Sequence, residues 1–479
     1  MPLTIASESN QQIDEPSRIL FAQRCSDAIA RARETGGEAI ASITLPVAPQ
    51  TDPSAVVFAS RRAGEAWFCF EQPERDGSAL ATLGSVRTLV GEGVDRFGEV
   101  AKAWRALAAQ AFCDPPEGPA GSGLVAVGGF AFAQAGGASP GWSGYPSACL
   151  EVPEVALARS GSEVRLTLSA LATPDDTVEE LTARIAARSA ELRTAPLPLI
   201  DPAPAGAYRV ISAMPPEHYV SAVERAVERI RAGELEKVVL AREVQVHAPI
   251  DHDPAAIFGV LREGFSGCYL YCVGRGDTAF LGASPELLVR REGQRASTVA
   301  LAGSARRSAD PAVDDHLGEQ LMRSTKDLEE QAIVVRQIVR TLRPLSLWVT
   351  SPEEPSVVKI ANIQHLATPI RAQLTSPVAA IDLAGMLHPT PAVGAEPAQR
   401  AKDLIPALEG LDRGWYAGPV GWSDVHQDGE FCVALRCALL RGKIAACYAG
   451  VGVVRDSDPA AELAETELKL AAILPVVRG

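Results

Sequence analysis

A chain of 479 residues with 47% hydrophobic and only 5% aromatic residues can build a large aliphatic, alanine-rich core, which excludes an intrinsically disordered protein. At roughly 150 residues per domain, the length allows two or three domains or one large α/β body. The 45 basic and 59 acidic residues give a net charge of −14, so the surface repels phosphate backbones and nucleic acid is excluded as an expected partner.

The N-terminus, "MPLTIASESNQQIDEPS", has neither a basic start nor an apolar h-region, so no secretory signal is expected. No apolar stretch of ~20 residues appears, so no membrane span is expected either. The nine cysteines are odd in number, scattered and without a CxxC pair. They read as small buried hydrophobes in a reducing cytoplasm. The N-terminal half, residues 1–195, carries strand patterns at Ala55–Ala59, Ala66–Phe70, Gly123–Phe132 and Val164–Ala170, and helix patterns near 17–35, 95–112 and 176–192. No reactive cluster falls in it. The glycine-rich "VAVGGFAFAQAGGASPGW" lacks both GxGxxG and the lysine and Ser/Thr of a phosphate loop, so it reads as strand and turn. A Pro/Ala-rich segment, "RTAPLPLIDPAPAGAYR" (193–209), reads as the connection to a second half spanning 208–475.

That second half opens with a helix pattern from Pro215 to Ala232, with Tyr219, Val223, Val227 and Ile230 on one stripe and Gly233 at its end. The strand "KVVLAR" follows. Alternation puts Lys237, Val239 and Ala241 on one face and Val238, Leu240 and Arg242 on the other. Lys237 is then either a solvated charge at a strand mouth or an amine held for chemistry. Further strands are predicted at 268–273, 278–282, 286–291, 430–439 and 443–449. A long helix is predicted over 314–342 and a last one over 459–473. The pattern is α/β with hairpin-like strands: an antiparallel or mixed sheet packed by helices.

Polar residues in this half fall at informative places. Asp327 and Glu330 share one helix face, as do Glu462 and Glu465 on the last helix. Such pairs repel unless a cation lies between them, and two of them could enclose a hard divalent ion such as Mg²⁺, or simply be solvated charges. Zn²⁺ fits less well, since the seven histidines form no HExxH or His/Cys cluster. Gly450 and Gly452 could let backbone N–H groups approach a carboxylate, or mark a strand end with a bulge. Arg436 is a charge within an apolar strand pattern; its partner is either a structural acid or a substrate carboxylate. Glu286 follows a Ser-Pro kink amid Leu and Val, where burial would raise its pKa and make it a proton donor. Lys237, if desolvated, moves toward a usable base.

Ten stretches occur in a fixed order: "EKVVLAR", "FLGASPELLVR", "LAGSARR", "TKDLEE", "IQHLATPI", "LHPTPAVG", "DRGWYAGPVGW", "FCVALRCALL", "YAGVGVV" and "PAAELAETELKL". In this the chain resembles chorismate-utilising enzymes, and most closely their isochorismate synthases, over roughly residues 208–475. The N-terminal half is similar only in length and general pattern. The resemblance implies a large antiparallel or mixed β-sandwich flanked by helices, of the anthranilate synthase component I-like kind, with the N-terminal half packed into the same body. It implies chorismate as substrate and Mg²⁺ as cofactor, with water adding at ring position 2 as the position 4 hydroxyl leaves.

Residue by residue, the resemblance implies that Lys237 is the base for that water and Glu286 the acid for the leaving hydroxyl. It places Glu330 and Glu465 at the metal, with Asp327 and Glu462 as their partners, largely through water. Tyr416, Arg436, Gly450, Gly452 and Lys469 fall on positions contacting substrate carboxylates, and Ser304 and His365 on positions lining the ring. Relatives that use ammonia lack this lysine, no LLES-like tryptophan motif or amidotransferase nucleophile is found, and Ala392 stands where pyruvate-eliminating relatives carry threonine. Salicylate synthase, an amino-transferring relative and a silent chorismate-binding regulator are the alternatives. The sequence departs from the family pattern at Ser304 (commonly Thr), Leu328 (commonly Arg), Gln331 (commonly His) and Ala395 (commonly Gly). A monomer is compatible with the sequence, which carries no signal on oligomeric state.

Overall fold

The computed structural model describes residues 13–201, 206–360 and 362–478. The first 12 residues, read above for a secretion signal, and residues 202–205 of the predicted connection lie outside them. Among the described residues the named strands form two antiparallel sheets of 12 and 10 strands, and both draw on the two halves of the chain. In the larger sheet, Trp67–Gln72 pairs with Tyr269–Arg275, putting Phe70 opposite Tyr271. In the smaller, Val125–Phe130 pairs with Pro419–Asp424. One apolar cluster takes side chains from the facing surfaces of both sheets, including Phe68, Phe280, Phe130 and Phe431. Face-to-face sheets bury alternate residues in this way.

The predicted alternation around Lys237 is present. Val238 and Leu240 join a cluster beneath the helix Pro216–Arg231, against its Tyr219, Val223, Val227 and Ile230. Ala241, on the opposite face, joins the cluster between the sheets. The strand runs Lys237–His247 and pairs along its length with Ile444–Val453, setting Val239 opposite Gly452 and Ala241 opposite Gly450.

Three predicted elements differ from what is observed. Ala55–Ala59 is part of a helix, Pro53–Ser60, because Asp52 caps it by accepting from the Ala55 N–H at 3.1 Å and Pro53 sits in the first turn. A good cap with an N-terminal proline outweighs the β-preference of two valines. The long helix predicted over 314–342 is two helices, Pro311–Arg323 and Thr325–Leu342, divided at Ser324, whose extended backbone ends one and whose hydroxyl caps the other. The strand predicted over 430–439 is broken into Gly429–Val433 and Cys437–Arg441, with Arg436 between them at φ 49°. Arg436 is therefore a turn residue in the left-handed region, not a strand residue.

All nine cysteines are free thiols and eight are buried, in keeping with their reading as small hydrophobes. Among the described residues no helix is long and apolar enough to cross a membrane.

Candidate active site

A polar cavity lies between the two sheets, walled by Val239 and Tyr448–Gly452 on one side and by Leu301–Ser304 and His365 on the other. Two helices close it. Thr325–Leu342 presents Glu330, and Pro459–Leu470 presents Glu465 and Lys469. Glu286, Ala392, Tyr416 and Arg436 also line it, with Pro285, Val393 and Leu435 beside them. Of the residues singled out from sequence, Lys237, Asp327 and Glu462 stand just behind this lining. A larger cavity of about 460 Å³ lies on the far side of Tyr448, walled by Trp142, Tyr219, Leu240 and Leu408, but none of the singled-out residues faces it.

Lys237 is fully buried, so the solvated strand-mouth reading is excluded. Its ammonium lies 2.8 Å from Glu330 Oε1, yet Nζ makes no well-aligned hydrogen bond among the described residues. The opposite glycine makes this contact possible. A Cβ on Gly452 would stand 2.2 Å from Glu330 Oε1 and 2.8 Å from Lys237 Cε.

Glu286 is 3% exposed at the entrance to the strand Leu287–Glu292. Burial pushes its carboxyl up to about 8, against the opposing charges of Lys237, Arg436 and Lys469. At neutral pH it is therefore mostly a protonated acid. His365 moves the other way, down to about 3, through burial reinforced by Arg436 and Lys469. Its tautomer follows from its neighbours. The Arg436 guanidinium, 3.2 Å from Nε2, can only donate, so Nε2 accepts. Nδ1 then carries the proton and donates to Gly303 O at 3.0 Å, with Ser304 Oγ at 3.2 Å.

Ser304 and His365 meet because they are cross-strand partners on Arg295–Arg306 and Ile363–Leu374. The register slips between Ala302 and Ser304, where Gly303 takes φ 69°. Such a bulge re-aims side chains beside a site.

Arg436 has no carboxylate within ion-pair distance among the described residues, which leaves its structural-acid reading without a candidate. Burial lowers its pKa. Tyr416 stacks on Tyr448 with ring centroids 5.2 Å apart. Lys469 Nζ is shared between Glu465 Oε1 at 2.8 Å and Gly450 O at 3.0 Å.

The acidic residues are each engaged. Glu330 pairs with Lys237, Glu465 with Lys469, and Glu462 with Lys326 at 2.6 Å, while Asp327 accepts from the Ser324 hydroxyl. Among the described residues no three acidic, histidine or cysteine groups converge into a ready-made ion cage. The donor chemistry nevertheless fits a hard divalent ion. It is all carboxylate oxygen, and Asp327 is raised by burial and by the charges of Glu330 and Glu465, a repulsion that a cation would relieve. Glu462 is raised by burial against the pull of Lys326, whereas burial of Glu465 is overcome by Lys469 and Lys326 together, which hold it below its usual value. Such a site would take its remaining ligands from water or a bound anion.

Sequence reasoning missed Val239, Leu435 and Tyr448 as cavity walls. The alternation with Lys237 could have flagged Val239, and the other two lie in the stretches "FCVALRCALL" and "YAGVGVV", where only the glycines and Arg436 drew notice.

The chain matches the family of chorismate binding enzymes over residues 27–478. It is 38% identical over 404 residues to the salicylate biosynthesis isochorismate synthase of Pseudomonas aeruginosa, covering 84% of this chain and 83% of that one. It is 32% identical over 390 residues to the isochorismate synthase MenF of Bacillus subtilis, covering 80% and 82%. Its fold is similar to that of MenF, the menaquinone-specific isochorismate synthase of Escherichia coli, with a TM-score of 0.76 and 25% identity over 95% of this chain and all of that one. The anthranilate synthase component I of Streptococcus pneumoniae shares the fold at a TM-score of 0.61. With the match running through both sheets and every wall of the cavity, the chain belongs to the chorismate binding enzyme family.

Proposed function

We propose that this protein converts chorismate to isochorismate, adding water at ring position 2 with loss of the position 4 hydroxyl. The observation that carries this reading is the Glu286 carboxyl, buried, largely protonated at neutral pH and set in the field of the buried Lys237 amine. An acid on the cavity wall and a base directly behind it are what the exchange of one hydroxyl for another requires, whereas a silent binder needs neither.

In the proposed reaction, neutral Lys237 takes a proton from the attacking water and Glu286 gives one to the departing hydroxyl, which leaves as water. The ring double bonds shift between the two positions, and no net oxidation occurs. Each turnover ends with a lysine ammonium and a Glu286 carboxylate, so a proton must pass back before the next. Arg436 and Lys469 supply the local positive field that a dianionic substrate needs in a chain of net charge −14. Glu330 and Glu465 would hold Mg²⁺, with Asp327 and Glu462 behind them. The ion, when bound, would neutralise a substrate carboxylate.

Ala392 lines the cavity with a small apolar side chain, which supports release of isochorismate rather than onward loss of pyruvate. Purified protein incubated with chorismate and Mg²⁺ should yield isochorismate without pyruvate on chromatography, and Lys237→Ala should abolish turnover while retaining substrate binding. Salicylate with pyruvate, an amino product in the presence of ammonia, or binding without turnover would each replace this reading.

A further inference from the structure

The Lys237 strand has an unusual outer edge. It pairs with Ala395–Glu396 at Lys237 and Val238, and with Arg209–Ser212 from Val244 onward. Between these, among the described residues, no strand covers the edge. There, two side chains occupy the place of a strand. Glu409 accepts from the Ala241 N–H at 2.7 Å, and Arg413 donates to Val239 O at 2.9 Å. The two form an ion pair with side chains 1% and 2% exposed.

The same guanidinium also reaches the loop beside the strand, where Gly394 O accepts from the Val239 N–H at 2.7 Å. It donates to Val393 O at 2.8 Å, next to Ala392, and lies 4.1 Å over the Phe132 ring. The Arg413 carbonyl accepts from the Tyr416 N–H at 2.9 Å. One buried pair thus ties together the backbones of three cavity walls: the Lys237 strand, the Ala392–Val393 loop and the turn bearing Tyr416. A buried ion pair is a poor source of stability, since desolvation offsets its attraction. Its geometry is what distinguishes it. The planar guanidinium can bond two carbonyls at a fixed angle, which a lysine cannot do.

From this we infer that Glu409 and Arg413 are positioning residues for the reaction proposed above: they hold the open stretch of the Lys237 strand in place against the Ala392 loop and the Tyr416 turn without touching substrate. Misplacing a reacting group by ~1 Å costs about 100-fold in rate. Arg413→Lys keeps the charge beside Glu409 but can no longer bridge Val239 O and Val393 O. Its kcat should fall ~30- to 100-fold while KM changes less than about threefold. Hydrogen exchange followed by mass spectrometry should show faster exchange in the peptide covering residues 237–243, with distant strands such as Ala39–Val47 unchanged. Glu409→Gln keeps an acceptor for the Ala241 N–H but strips the buried guanidinium of its counter-charge, so it should lose stability, and kcat should fall further than the folded fraction does.

The exchange measurement needs no turnover, so it tests the clamp even if chorismate is not the substrate. An inactive wild type with a clamp-dependent strand would refute the reaction alone. A folded Arg413→Lys variant with wild-type kcat, or unchanged exchange at 237–243, would overturn the positioning role. If Arg413→Lys does not fold, Glu409→Gln decides the matter: equal loss of kcat and of folded fraction would mark the pair as merely structural.

Discussion

Substituting Gly452 with alanine perturbs the site through a single methyl group. The new Cβ would stand 2.2 Å from Glu330 Oε1 and 2.8 Å from Lys237 Cε. Non-bonded contacts settle near 3.5 Å, so the carboxylate must retreat by about 1 Å or the lysine must swing away. Either way, the 2.8 Å Lys237–Glu330 contact opens. Depriving a buried charge of its partner costs ~3–5 kcal/mol. Here the loss should be nearer ~2 kcal/mol, because the Glu330 side chain is 12% exposed and can follow part of the way. Displacement of a proposed base and a proposed metal ligand by ~1 Å should lower turnover about 100-fold. The assay pairs chorismate turnover by chromatography with thermal unfolding followed by circular dichroism. Gly264→Ala serves as control, since nothing lies within 4 Å of a Cβ there. A Gly452→Ala enzyme that turns over at the wild-type rate would show that the Lys237–Glu330 contact has no part in catalysis.

The Glu286 carboxyl, pushed up to about 8, must be protonated to act as an acid. The rate should therefore fall as pH rises through about 8, and Glu286→Gln should lose both the rate and this limb of the profile. The same shift affects stability. A folded-state pKa above the unfolded value of ~4.3 contributes stability that is complete below that value and lost as pH rises through about 8. Glu286→Gln should accordingly flatten the decline of Tm between about pH 5 and 8, a slope of ~1.4 kcal/mol per pH unit, and an unflattened profile would assign the decline to other groups. Arg436→Gln removes a charged donor worth ~1.5–3 kcal/mol, so KM for chorismate should rise about 10- to 100-fold, with a smaller change in kcat. An unchanged KM would remove Arg436 from substrate binding. Treatment with a chelator should abolish turnover and Mg²⁺ should restore it, while Glu465→Gln should require a higher Mg²⁺ concentration for half-maximal rate. Full activity after exhaustive chelation would refute the metal role.

The residues that gather at the cavity were legible in the sequence because most of them lie in short motifs whose order along the chain is itself informative. Alternation alone placed Lys237 and Val239 on one face and Val238 and Leu240 on the other, since strand geometry has a period of two and needs no tertiary input. Composition likewise foretold buried cysteines, whereas the few aromatics of the chain gather largely in the cluster between the sheets instead of leaving it aliphatic. Local patterns failed where competing local signals were close in strength. Asp52 and Pro53 turned a β-branched run into a helix, and Ser324 capped a second helix inside what reads as one.

Environment was beyond the sequence altogether. A lysine at a strand mouth is solvated or buried according to what packs over it, and Lys237 is buried because a glycine on the neighbouring strand and a carboxylate from a distant helix meet there. The raised pKa of Glu286 and the neutral His365 also come from burial, a property of the assembled sandwich rather than of any stretch of chain. The clamp of Glu409 and Arg413 is the clearest case: Arg413 lies in the stretch "DRGWYAGPVGW", but its pairing with Glu409 acquires meaning only because the folded sheet leaves an edge open for the two to fill. Residue identity and order along the chain named the candidate groups for the proposed chemistry. Burial, register and the gap in the sheet, which exist only once distant segments pack together, decided which of them share a cavity and in what protonation state.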